Sequence, residues 1–347
     1  YYGLSFIALM VLAIGGTLLL DSMADLAIRS NLLIGSQVQL ALGLALTLVG
    51  GSVWLFHWHL AQRSIIQFQG ETRSLCRKAY LYLVLGIAAV VLAVAFVSLL
   101  RWLVGDSAFD GTIIAIPLVW GSLWIFHWRV QEHEIQPQRS LVSVRTLYVY
   151  VTSLYGLWML VAGLSLVLWR IFRRVYDVVF QPDLILLSEE TLWSDTMRMG
   201  IIVALVGGTY WWWHWHRMSR GDTESVWRKI YLYAFTILGG AFIVISAVSV
   251  LLFQTLVWFV DTTAPTSSPV HFRFLPEVFV AMIAGASVWR YHWFVAKQEA
   301  ASGMLGMAAT CRVYGYLMAG LGLITLVIGL SILFPVLIGI VLPESNS

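Results

Sequence analysis

One eight-residue pattern occurs four times in this chain, each time at the close of a long apolar run. It reads small-Ser/Thr-x-Trp-x-x-His-Trp. The copies are Gly51 to Trp58, Gly121 to Trp128, Gly208 to Trp215 and Ala286 to Trp293. Self-similarity at such intervals is the mark of a supersecondary unit used repeatedly. The runs before the motifs hold about 20 apolar residues, enough to cross roughly 30 Å of hydrocarbon. Only helices satisfy their backbone in runs this long, since a barrel needs short alternating strands. Hydrophobic residues make up 60% of the chain and charged ones 11%. A soluble chain carries about 25% charge.

The expected fold is therefore all-α, a polytopic transmembrane bundle of about nine spans. Their approximate limits are 1–20, 37–58, 79–104, 112–128, 146–172, 199–215, 230–259, 275–294 and 313–342. The even spans end in the Trp-His-Trp motif. The odd spans open on a second motif, Arg-x-x-Tyr-x-Tyr. It appears at Arg77-Lys78-Ala79-Tyr80-Leu81-Tyr82, at Arg145 with Tyr148 and Tyr150, and at Arg228 with Tyr231 and Tyr233. A version one residue shorter occurs at Arg312 with Tyr314 and Tyr316, and Tyr1-Tyr2 resembles a remnant of it. This reading gives four parallel two-helix repeats and a final helix: 1–63, 73–134, 145–220, 228–299 and 308–347.

Charge sets the expected orientation. Most of the 21 Lys and Arg lie on the face of the Trp-His-Trp ends, among them Arg63, Arg77, Arg129, Arg217 and Lys297. Most of the 18 carboxylates lie on the other face. By the positive-inside rule the motif face is cytoplasmic in a bacterial inner membrane, and the C-terminus is outside. The net charge of +3 is then an asymmetry across a membrane and carries no nucleic-acid signal. Two longer outer connections are expected, 173–198 and 260–276, the first with a surface-lying apolar segment at Leu184–Leu187. No cleavable signal peptide is read at Tyr1-Tyr2-Gly3-Leu4, which already belongs to an apolar run.

The middles of the spans contain no Asp, Glu, Lys or Arg. Ion-coupled transport needs ionisable groups at depth, so that class is disfavoured. Polar residues there, such as Thr47, Thr152 and Thr325, are expected to return their hydroxyls to their own helices. No Ser-His-Asp or Cys-His set, phosphate loop or paired intramembrane carboxylate can be assembled, so no enzyme and no catalytic residue is expected. The cysteines Cys76 and Cys311 form no metal or disulfide motif.

Trp54, His57 and Trp58 share one face of a helix, being at i, i+3 and i+4. Three readings of the cluster stand side by side. In the plainest, Trp54, Trp58, Trp124, Trp128, Trp211, Trp215, Trp289 and Trp293 are interfacial anchors. In the second, His57, His127, His214 and His292 are axial ligands for haem or (bacterio)chlorophyll. In the third, Arg77, Tyr80, Tyr82, Arg145, Tyr148, Arg228, Tyr231 and Arg312 join the Trp residues in a ring that docks lipid headgroups or a partner. The i, i+2 pairs His57/His59 and His214/His216 diverge around a helix, so no metal site is expected.

The segments Trp54 to Arg63 and Arg77 to Tyr82 resemble an uncharacterised bacterial multi-span membrane family, a domain of unknown function. Its tandem two-helix units end in Trp-x-x-His-Trp. The likeness runs over nearly the whole chain and implies the architecture alone. The fourth copy departs from it at Arg290. The expected role is non-catalytic: an accessory or structural subunit of a larger membrane complex, contacting lipid and other membrane subunits, with no cofactor. A tetrapyrrole carrier is the first alternative and a small-molecule or lipid permease the second.

Overall fold

The structure is a computed structural model, and it describes residues 1–29, 34–68, 70–134, 144–180, 191–260, 267–301 and 307–341. The expected surface segment at Leu184–Leu187 and the tail from Pro343 lie outside the described residues. The described chain is helical. In order come α1 (Tyr2–Arg29), α2 (Ile34–Gln67), α3 (Leu75–Leu103), α4 (Thr112–His133), α5 (Val144–Phe180) and α6 (Asp195–Trp211). A π-helical stretch, Trp212–Met218, continues α6. After Val226–Lys229 a second π-helical stretch, Ile230–Leu238, leads into α7 (Gly239–Val260). The chain ends in α8 (Leu275–Ala301) and α9 (Met307–Val341).

Among the described residues eight helices are long and apolar enough to cross a membrane, and the chain is a membrane protein. The expected ninth, 199–215, differs for a local reason. At Trp212 the backbone changes from α to π pairing, so the α-helical part stops after 17 residues. The Ser219 amide, for instance, bonds the His214 carbonyl, five residues back. Hydroxyls inside the spans close on their own helices as expected: Thr47 donates to the Gly43 carbonyl at 2.7 Å and Thr152 to that of Tyr148 at 2.7 Å.

The chain divides into two compact units, Tyr1–Trp227 and Arg228–Ser347. In the first, α1 packs along α2, α3 against α4, and α5 along α6, while α4 also meets α1 and α3 also meets α5 and α6. In the second, α7 packs on α8. Tyr314 at the start of α9 touches Tyr233 and Trp293, and the apolar body of that helix is exposed.

Small residues let backbones meet, because lipid supplies no hydrophobic drive between helices and contact must come from close packing. A methyl built on Gly240 would lie 2.8 Å from the Gly285 carbonyl oxygen, and one on Gly285 would lie 2.8 Å from that of Gly240. Gly163 and Gly200 form the same kind of seam between α5 and α6, and Gly15, Gly43 and Gly50 between α1 and α2. The α3–α4 pair has no such seam: a methyl on Gly121 would meet only Leu92 Cδ2, at 3.9 Å. Pro117 also sits inside α4, where it deletes one helix hydrogen bond.

At the end of the first unit away from the Trp-His-Trp motifs, Asp106 joins two helices. Gly105 (φ +76°) ends α3 in the left-handed region, which turns the chain so that Asp106 faces back. The carboxylate accepts from Arg101 Nε at 2.9 Å and from Arg198 Nη2 at 2.7 Å. These guanidiniums, Arg198 first, hold Asp106 below the usual carboxylate range.

Candidate functional site: the Trp-Tyr-His strings

Each motif histidine makes the same local bond. Its Nδ1 lies 2.8 Å from the carbonyl four residues earlier: Val53 for His57, Leu123 for His127, Tyr210 for His214 and Val288 for His292. A carbonyl only accepts, so Nδ1 carries the proton and Nε2 of the neutral ring is an acceptor. Helical geometry places residue i over the carbonyl of i−4, so the tautomer follows from the helix itself.

The first tyrosine of the Arg-x-x-Tyr motif supplies the donor for Nε2. The Tyr80 hydroxyl is 3.0 Å from His127 Nε2, Tyr148 is 3.4 Å from His214, and Tyr231 is 3.2 Å from His292. These histidines are buried, with His127 0% and His292 1% exposed. The Tyr80 oxygen in turn accepts from an indole, Trp54 Nε1, at 3.1 Å. In the first unit a string therefore runs from Trp N–H through Tyr O–H and His to a carbonyl. Every polar atom along it is satisfied, the condition for polar groups to lie in an apolar interior without penalty.

Aromatic packing surrounds the strings. Trp54 stacks on Trp58 with centroids 5.9 Å apart, and Trp124 on Trp128 at 5.1 Å. Tyr82 lies 5.6 Å from Tyr148, and Trp215 lies 6.3 Å from Tyr150. In the second unit Trp293 packs on Tyr314, while Trp289 is exposed. Trp211 is half-buried and sits edge-on to His216.

The arginines require a correction. Arg77 is fully buried, and its Nε bonds Glu134 at 2.9 and 3.1 Å. Its Nη1 donates to the Tyr2 hydroxyl at 3.3 Å, and its guanidinium lies 5.4 Å over the Trp58 ring. Arg228 is likewise buried and paired to Glu299, with Nε to Oε1 at 3.0 Å. These two charges are neutralised within the protein and are not offered to headgroups; Arg145 and Arg312 are exposed. The partners Glu134 and Glu299 escaped the sequence reading. Their signal was present: each stands seven residues after a motif histidine. In the third copy Gly221 holds that place, and Asp222 beside it accepts from the Tyr150 hydroxyl at 2.8 Å.

The first copy departs from this plan. Tyr2 donates to Glu71 at 3.0 Å and accepts from Arg77, and the half-buried His57 has no partner for Nε2 among the described residues. As an arrangement of groups, the cluster is a set of internal clasps in which three histidines have both nitrogens engaged.

A family model described as Domain of unknown function (DUF5671) matches residues 1–110 and 170–289. The chain belongs to that family. The two DUF5671 segments include the first and third motif copies whole, and the fourth up to Trp289. No curated protein and no solved structure matches the chain.

Proposed function

We propose that this protein is a non-catalytic structural element of a bacterial inner membrane, acting as an accessory subunit of a larger assembly. One observation carries the reading: the recurrent chemistry of the chain is turned inward. Trp54, Tyr80, His127, Arg77 and Glu134 satisfy one another, and so do Tyr231 with His292 and Arg228 with Glu299. Groups arranged in this way hold helices and leave little reactivity over. The body of α9, with none of its apolar window buried in the chain, supplies surface for lipid or a neighbouring subunit. The test is native mass spectrometry of the particle drawn from its own membrane in mild detergent. Added protein mass is the expected result, and a monodisperse particle of the bare chain would overturn the reading.

The tetrapyrrole alternative rests on one nitrogen, His57 Nε2, because in the other three copies a tyrosine hydroxyl occupies the atom a metal would take. It requires visible absorption that is lost in His57→Ala.

A further inference from the structure

A cavity of about 360 Å³ lies in the first unit between α3, α4 and the end of α6. Several independent irregularities meet there. The α3–α4 pair lacks the glycine seam that closes other helix pairs, and Pro117 interrupts α4 at the cavity wall. The opposite wall is where α6 gives way to π-helix, a distortion enriched at functional sites. The Tyr148–His214 bond beside it is the longest of the three Tyr–His bonds, 3.4 Å against 3.0 and 3.2 Å.

The lining is almost wholly apolar and rich in flat rings: Phe96, Trp124, Tyr210, Trp213 and His214. Among the described residues no Asp, Glu, Lys or Arg lines it. Both nitrogens of His214 are engaged, and the Thr209 hydroxyl is bonded to the Leu205 carbonyl. Two donors have no hydrogen-bond partner among the described residues, the Tyr210 hydroxyl and the Trp213 indole N–H. A half-buried hydroxyl on an apolar wall gains most from an acceptor brought by a ligand. Phe96 and Trp213 are each 41% exposed, so the cavity is reached past apolar rings.

We propose that this cavity binds a lipid-soluble quinone, a planar apolar ring bearing carbonyls. The ring would stack among the aromatic walls, and a carbonyl would accept from Tyr210 or Trp213. The space suits one substituted ring with its tail leaving toward lipid. A charged ligand would find no countercharge, and a glycerolipid ester would bring a carbonyl but no ring for the walls. The inference goes beyond the scaffold role and is independent of whether a partner subunit exists.

The test is photo-labelling of the purified full chain in quinone-free nanodiscs with a short-tail azido-benzoquinone. Labelled peptides are mapped by mass spectrometry, with and without excess unlabelled short-tail benzoquinone. The expected result is saturable, competed labelling within 89–96, 117–125 or 209–214. Gly121→Leu, which grows a side chain into the cavity, should reduce it at least tenfold. Tyr210→Phe removes one hydroxyl and should reduce it several-fold; this variant keeps the test open if Gly121→Leu does not fold. Labelling that is not competed, or that both folded variants leave unchanged, overturns the proposal. Competition by a diacyl glycerolipid as effective as that by quinone also overturns it, assigning the cavity to a lipid ester.

Discussion

Trp54 in α2 donates its indole N–H to the Tyr80 hydroxyl in α3, across 3.1 Å, so the close of one helix pair is bonded to the opening of the next. Tyr80 passes its own proton's bond to His127 in α4. Removing the middle member therefore orphans the half-buried Trp54 indole and the buried His127 ring at once. Tyr80→Phe should lower stability by about 1–3 kcal/mol for each group left unpaired. Thermal unfolding in detergent reads this, with the exposed Tyr316→Phe as an unaffected control.

The Arg77–Glu134 pair makes a different prediction. Arg77→Met leaves a carboxylate with no counterion in a largely enclosed place and should cost about 3–5 kcal/mol. Arg77→Met combined with Glu134→Met removes both charges and should recover much of the loss. A loss in the double variant equal to the sum of the two single losses would show that the two side chains act separately.

Asp106 sets the acid limb of stability. Its folded-state pKa is depressed by Arg198 and Arg101, whereas the unfolded chain titrates near 3.9. The stabilisation is thus fully present above about pH 4 and is lost as pH falls through the folded value. Asp106→Asn should be less stable than wild type at neutral pH and lose less on acidification. Parallel curves for the two proteins would refute the linkage.

The glycine seams can be tested one methyl at a time. Gly240→Ala sets a methyl against the Gly285 carbonyl and should cost about 1–3 kcal/mol as α7 and α8 move apart. Gly121→Ala meets only Leu92 Cδ2 and should be close to neutral.

The proposed orientation is read through Cys76, which is exposed at the start of α3. In a Cys311→Ser protein, a membrane-impermeant maleimide should label Cys76 in inverted vesicles and spare it in intact cells. Labelling in intact cells would reverse the topology.

The span pattern was legible because burial in lipid is written directly into composition: a run of apolar residues 20 long has few alternatives. The fold also brings motif residues from different helices together, Trp54 with Tyr80 and Tyr80 with His127. What they do there was not legible, because it depends on which helix crosses which. Arg77 reads as a headgroup ligand when taken with its neighbours in sequence, and only the fold brings Glu134, 57 residues on, to 2.9 Å. The π turn at Trp212 left no signal either, since Trp211 to Trp215 is compatible with an ordinary helix. Tyr210 and Trp213 looked like two more aromatic residues until the fold set them on a cavity wall.

The hydrogen-bond strings have a direction, and it bears on modularity. The string that starts at Trp54 on α2 runs through Tyr80 on α3 and ends on α4. The first helix pair thus supplies a donor whose acceptor belongs to the second. Excising α3 and α4 would strand the Trp54 indole. For all the likeness of their sequences, these two pairs are not interchangeable bricks; their order is part of what makes the first complete.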